Sequence, residues 1–395
     1  MQHNVKLSQS SPALKSTMPM KLLVCATEYH PYGTGIANVV YNVVEHLKEQ
    51  GVECTVCSPT GPDIKLGSLK LIEKTGILGM LYYWYQVSQY LKRNDYDALW
   101  LHNPFIIGGN EFKHCLVTMH STYYGESFHQ VGTTPLLRIY KRLVSSLERY
   151  CLVHMSENTR FTGVGKPVCE ELEKIGIARD RLIYIPNGVD IRQFRPSPDK
   201  KLLRKKFGIP EDDIVLLSVG RLTPAKQPHT MIEVFSHLEK ELGDVTLCIA
   251  GKGEMFEETK DLAKGMGLCK VLFLGYVDHD QDLPDLYACA DYYLMTSKYE
   301  GLPLTLLEAM ASGLPCIVSD IPNLGIVKDA DCGIIVDFTD LSAALTDIVD
   351  YLKVDHHSHR INARDFAINS LDWETITGDY LRALKDICVV NPFLV

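Results

Sequence analysis

From Lys21 onward the chain alternates short β-branched or apolar runs with longer segments of helical period, and it does so in two successive series. Such alternation calls for a parallel sheet covered by helices, because parallel strands need long crossover connections. The first unit is the clearest. Residues 21–27 read as a strand, 29–35 as a Gly/Pro loop, 36–50 as a helix stopped by Gly51, and 53–58 as the next strand. Further strands are expected at 98–103, 115–120, 160–164 and 182–185, with helices near 77–93, 133–150 and 167–175. Turn residues then cluster at 186–190 and again at Pro196, Ser197 and Pro198, which puts a domain boundary there. The second series has strands at 214–220, 245–251, 271–275, 292–296, 316–319 and 333–336, and the pattern after Asp340 is helical. Expected, therefore, are two doubly wound α/β domains of Rossmann-like type, over 20–190 and 191–372, facing a central cleft. A leader over 1–19 precedes them, and a final helix in 373–395 should return to the first domain.

A chain of 395 residues is long enough for two cores. Its 46% hydrophobic and 23% charged residues are those of a soluble globular protein. The net charge of −9 is unevenly shared: residues 20–190 carry 17 basic and 17 acidic side chains, and 191–395 carry 21 and 32. No strongly basic face emerges, which argues against a nucleic-acid binder. Most of the twelve cysteines lie in apolar runs, where a thiol acts as a small hydrophobe. Cys54 and Cys57 form a C-x-x-C within a strand, where residues three apart point to opposite faces, so a redox or zinc role is not expected. Residues 1–19 hold no apolar core of a signal peptide, and no run reaches the 18 or so apolar residues of a membrane span, so a cytoplasmic protein is expected.

The most informative segment runs from Glu300 to Gly313. It follows a strand and opens a helix, with Pro303 suited to the helix start and Gly313 to the left-handed position after its end. The free N–H groups of Leu304 and Thr305 then face the carboxyl edge of the sheet, where the helix dipole favours an anion such as a diphosphate. Glu300 above that terminus and Glu308 within the helix suit hydroxyl donors rather than phosphate. Arg221 and Lys226 follow the first strand of the same domain and emerge at the same edge, where two cations can neutralise a leaving diphosphate. Solvated surface charges are the plain alternative for all four.

Other segments carry weaker signals. Val117-Thr118-Met119-His120 ends a strand, which turns His120 toward the cleft unless it is a satisfied core histidine. Gly33 and Gly35 open the first helix and let backbone approach a phosphate. Gly251-Lys252-Gly253-Glu254 lacks the third glycine of a dinucleotide fingerprint, because Phe256 stands there. Asp278-His279-Asp280 has the form of a metal motif in a connection where solvated acids are common, and no metal is expected. The stretch 355–359, Asp-His-His-Ser-His, reads as a surface loop. The aromatic run 77–85 and the basic helix bearing Arg138, Lys141, Arg142 and Arg149 read either as core and solvated face or as an acceptor or membrane-surface patch.

Taken together, Glu300–x7–Glu308, Gly220-Arg221-Leu222–x3–Lys226, Pro186-Asn187-Gly188-Val189-Asp190 and Ala250-Gly251-Lys252-Gly253-Glu254 resemble the GT-B glycosyltransferases of family four, the glycosyl transferases group 1. The resemblance spans the chain from about Met20 to the end. It implies a retaining hexosyltransferase that uses a UDP- or GDP-linked sugar and an acceptor hydroxyl on a glycan or lipid, without cofactor or metal. By that resemblance Glu300 holds donor-sugar hydroxyls, Glu308 the ribose, and Arg221 and Lys226 the diphosphate. His120 lies close to the transferred sugar, Gly33 and Gly35 by the donor phosphate, and Gly251, Gly253 and Val277 near the base. Family members usually have adjacent glycines where Thr34 separates Gly33 from Gly35, and often glycine where Gln227 stands. A GT-B-like nucleotide-sugar epimerase and a silent sugar-nucleotide binder are the rival readings. Peripheral contact of the first domain with the inner membrane face is a further implication.

Overall fold

The computed structural model describes residues 19–33, 35–108, 111–128 and 134–389. Apart from Pro19, the expected leader lies outside these residues, as do Thr34, residue 133 and residues 390–395 of the last segment.

Two parallel sheets organise the chain. The first contains β1 (Lys21–Cys25), β2 (Glu53–Ser58), β3 (Ile64–Lys65), β4 (Ala98–His102), β5 (Cys115–Met119), β6 (Arg160–Gly163) and β7 (Leu182–Tyr184), in the order β3-β2-β1-β4-β5-β6-β7. The second contains β8 (Ile214–Val219), β9 (Val245–Ala250), β10 (Val271–Gly275), β11 (Tyr292–Met295), β12 (Cys316–Ser319) and β13 (Gly333–Val336), in the order β10-β9-β8-β11-β12-β13. Strands such as β4 and β5 are buried at every residue, as expected where helices cover both faces. Strand order reverses between β1 and β4 and between β8 and β11. Loops leaving the carboxyl ends at such a switch point diverge to opposite faces and open a crevice.

The helix Gly35–Glu49 buries Ala37, Val39, Val40, Val43, Val44 and Leu47, a stripe of helical period that closes over β1 and β2. The last helix, Trp373–Val389, joins the same core through Trp373, Ile376, Tyr380, Ala383, Leu384 and Ile387. Burying large side chains contributes roughly 1.5–3 kcal/mol each, which ties this C-terminal helix to the first sheet. The chain therefore crosses between sheets twice, and the crossings touch: Val189 N–H donates to Leu371 O at 2.8 Å, and Val189 bridges Asp372.

Several details differ from the sequence reading. β4 and β5 stop before Asn103 and His120, because Asn103 turns to φ 43° and its Oδ1 accepts the His120 N–H at 3.0 Å. The strand β3 and the helices Leu69–Thr75 and Tyr123–Phe128 were not expected. The stretch 355–359 is not a loop throughout: the helix His357–Ser370 begins inside it, and His356 and His359 stack on Tyr351 at 3.7 and 5.8 Å. Cys54 and Cys57 do pack on opposite faces of the sheet, Cys54 against the core containing Val40 and Cys57 against the core containing Leu101. All twelve cysteines are free thiols.

Candidate functional site

At the second sheet's switch point two loops meet. The loop after β8 carries Arg221 and Lys226, and the loop after β11 carries Glu300. Lys226 Nζ pairs with Glu300 Oε1, while Thr296 Oγ1 lies within hydrogen-bond reach of the carbonyls of Lys226 and Gln227, at 2.9 and 3.2 Å. Lys298 N–H also donates to Ala225 O at 2.8 Å. The Lys226 loop is thus held from the strand that delivers Glu300. Gly220, Arg221, Lys226, Thr296 and Ser297 line one small cleft, with the Arg221 side chain at its exposed margin.

The helix Leu304–Ala311 starts after Pro303, whose carbonyl accepts from Leu306 and Leu307, so Leu304 and Thr305 carry the amides that the helix leaves over. Ser312 closes the helix and Gly313 follows at φ 70°. Thr305 is fixed by Tyr293, whose hydroxyl donates to its Oγ1 at 2.8 Å. Glu308 is buried, with Tyr287 Oη 2.9 Å from Oε2 and His279 Nε2 3.1 Å from Oε1. His279 also reaches Asp280 at 3.0 Å. Burial works to lower the His279 pKa, but the hydrogen bonds and charges of Glu308 and Asp280 overcome it and raise the group to about 9. Asp278 caps its own turn, accepting from the N–H groups of Asp280 and Gln281 at 3.0 and 2.9 Å. Both carboxylates of the D-x-D are therefore engaged within their loop.

Gly251 and Gly253 sit where two loops of the second domain come into contact. A Cβ on Gly251 would overlap Gly220 O, and one on Gly253 would overlap Leu222 O, so these glycines let the loops after β8 and β9 lie backbone to backbone. Leu222 N–H to Lys252 O at 3.0 Å and Met255 N–H to Leu222 O at 3.1 Å complete that seam. Val277 lies beside the core of the second domain, next to Tyr276, which is 74% exposed.

The first domain meets this edge directly. A Cβ on Gly301 would overlap His120 O, so the residue after Glu300 lies against the residue that follows β5. A Cβ on Gly35 would meet Leu304 Cδ1 at 3.8 Å, and Leu304 packs into the cores of both domains, while Gly33 lies one residue before Thr34. A second cleft runs between Asn38 and Asn42 of the first domain and His279, Leu304 and Glu308 of the second. His120 is 7% exposed, and its Nε2 lies 2.9 Å from His102 Nδ1. Burial lowers the pKa of both imidazoles, His120 to about 3, and the neighbouring His120 lowers that of His102 further. Tyr299 crosses the same seam: its hydroxyl lies 3.3 Å from Glu171 Oε2 and from the Thr122 N–H. Asn187 and Asn323 donate to the carbonyls of Leu302 and Glu300, at 2.6 and 2.7 Å, and so fix the Glu300 loop from both sides.

Sequence reasoning missed His102, His279, Tyr299, Asn187 and Asn323. His102 ends β4 as His120 follows β5, and that shared strand-end position was the available signal. His279 sits between the two aspartates that drew attention as metal ligands.

Fold and site together define a two-domain glycosyltransferase architecture of GT-B type. The sequence matches the family Glycosyl transferases group 1 over 199–366 and Glycosyltransferase Family 4 over 33–193. The chain belongs to the GT-B glycosyltransferases of the family 4 type. Among curated relatives it is 32% identical over 190 residues to an Escherichia coli UDP-Gal:alpha-D-GlcNAc-diphosphoundecaprenol alpha-1,3-galactosyltransferase, covering 47% of this chain and 48% of that protein. It is 28% identical over 207 residues to a Mycolicibacterium smegmatis GDP-mannose-dependent alpha-(1-6)-phosphatidylinositol monomannoside mannosyltransferase, covering 49% and 53%. The match thus spans about half the length of these relatives. Among solved structures, WaaG, a glycosyltransferase involved in lipopolysaccharide biosynthesis, has a TM-score of 0.75 at 20% identity, covering 94% of this chain and 100% of that one. Anabaena Alr3699/HepE in complex with UDP and glucose has a TM-score of 0.67 at 19% identity, covering 93% and 99%. These two structures share the fold.

Proposed function

We propose that the protein is a retaining glycosyltransferase that moves a hexose from a UDP- or GDP-linked donor to an acceptor hydroxyl on a glycan or lipid. The observation that carries this reading is the Glu300–Gly301 step: Glu300 pairs with Lys226 in the second domain while Gly301 lies against His120 in the first. One loop thereby joins a diphosphate-neutralising cation, a hydroxyl acceptor and a histidine at a domain boundary. The donor lies mainly on the second domain, its diphosphate toward Arg221, Lys226 and the amides of Leu304 and Thr305, its ribose toward Glu308. Gly33 and Gly35 close over the phosphate from the first domain, and Gly251, Gly253 and Val277 border the base. The acceptor hydroxyl attacks from the face the leaving phosphate departs, and that phosphate takes up its proton. No enzyme nucleophile and no divalent metal take part. The UDP- and GDP-linked donors in the names of relatives support this donor class.

The lipid-facing reading is supported by the helix Pro135–Val153, where Leu136, Ile139 and Leu143 are exposed beside Arg138 and Arg142. An apolar stripe flanked by cations suits the surface of an anionic bilayer. Among the described residues no helix is long and apolar enough to cross a membrane, and the contact this reading assigns to the first domain is peripheral, at the inner membrane face. A thermal-shift panel of UDP-, GDP- and ADP-hexoses tests the donor site, because a ligand bound to the folded state raises its melting temperature. Stabilisation by none of the three would remove the proposed donor site.

A further inference from the structure

The ends of β4 and β5 hold two histidines against each other. His102 Nδ1 and His120 Nε2 lie 2.9 Å apart, with ring centroids at 5.2 Å and planes 21° apart. Beneath them a column of rings continues, His102 to Trp100 at 4.3 Å and Trp100 to Tyr380 at 4.8 Å. Trp100 is fixed in turn, its indole N–H donating to Thr118 Oγ1 at 2.8 Å, and Thr118 meets Thr162 at 2.7 Å. The C-terminal helix thus supports His120 from two rings away.

Two proton arrangements satisfy a neutral pair. In one, His102 Nδ1–H donates, His120 Nε2 accepts, and the His120 proton sits on Nδ1. In the other, His120 Nε2–H donates and the His102 proton must sit on its own Nε2. His102 Nε2 is buried without a partner. The second arrangement therefore buries an unpaired N–H, whereas the first leaves only a bare lone pair. Orphaned buried donors are the rarer of the two in folded proteins. Double protonation of either ring is opposed by burial, which lowers both pKa values.

We propose that His102 is a positioning residue that locks His120 in the Nδ1–H tautomer, so that an oxygen of the donor sugar meets a neutral hydrogen-bond donor. The role of that donor rests on the transferase reading, whereas the tautomer does not. Which ring nitrogen carries the proton is set by the bond the other makes. Without His102, a neutral imidazole favours the proton on Nε2, and His120 would offer the sugar a lone pair.

The test is 15N NMR of histidine-labelled protein without substrate, the His120 signals being those lost in His120→Gln. The expected result is a protonated Nδ1 and a bare Nε2 in the unaltered protein. In His102→Leu the proton should move to Nε2 and kcat fall by about 10-fold or more, with donor affinity unchanged. His102→Asn, whose Nδ2 stands where Nδ1 stood, should restore the tautomer and most of the rate. A protonated Nε2 on His120 in the unaltered protein would overturn the proposal, as would equal behaviour of the Leu and Asn variants. The spectrum of the unaltered protein decides the pairing even if a variant fails to fold. It also decides it independently of whether any sugar is transferred.

Discussion

Replacing Gly301 by alanine adds one methyl group at the place where the two domains meet. The new Cβ would fall inside the contact shell of the His120 carbonyl oxygen, with Val164 Cγ2 another 3.6 Å away. The carbonyl belongs to backbone anchored by the His120 N–H to Asn103, so no side-chain rotation relieves the overlap. The Glu300 loop must instead withdraw from the first domain by about 1 Å, a misplacement on the scale that costs roughly 100-fold in rate. That corresponds to about 2.7 kcal/mol in the activation barrier. Each domain keeps its own core, so the melting temperature and the affinity for the bare nucleotide diphosphate should change little. The decisive comparison is kcat against donor affinity by calorimetry in Gly301→Ala. Turnover within a factor of about 3 of the unaltered enzyme would refute the claim that chemistry needs this contact.

Three further outcomes are expected. Arg221→Ala with Lys226→Ala should lower turnover by about 100-fold while leaving the fold intact by circular dichroism, and near-normal turnover would remove the diphosphate site. His279 has its pKa raised to about 9 in the folded protein, above the ordinary imidazole value near 6.5, so its stabilising contribution is full below the unfolded pKa and lost as pH rises through about 9. The gap in melting temperature between the unaltered protein and His279→Gln should accordingly shrink from pH 6 to pH 10, and a gap that grows would contradict the ion-pair geometry. Turnover should survive exhaustive dialysis against EDTA and the change of Asp278 and Asp280 to asparagine; a strict Mn²⁺ or Mg²⁺ requirement abolished by those substitutions would overturn the assignment of charge to Arg221 and Lys226.

Much of the architecture is legible in the sequence because buried parallel strands are continuous apolar runs, as in Ala98-Leu99-Trp100-Leu101. Elements without that signature stayed hidden. β3 has only two residues, too few for any period. The helix Tyr123–Phe128 owes its start to distant Glu148, whose carboxylate accepts from the Tyr123 N–H at 2.9 Å, and no local pattern announces it. The strand-end positions of Lys226 and Glu300 announced that the two would meet at one sheet edge, as they do. The supports of Glu300 could not be read, because Asn187 and Asn323 lie far from it in sequence and converge only when the linker and the loop after β12 fold over it. The packing role of glycines 251 and 253 was not legible either, because the backbone they lie against, at Gly220 and Leu222, belongs to the loop after another strand.

The central claim, transfer with retention at the Lys226–Glu300–His120 seam, is tested most directly by proton NMR of the purified protein with a UDP- or GDP-hexose, first alone and then with acceptor. The account predicts an intact donor in the first spectrum. In the second it predicts a product whose new glycosidic bond keeps the anomeric configuration of the donor. Conversion of the donor sugar without acceptor, or a product of inverted configuration, would contradict it.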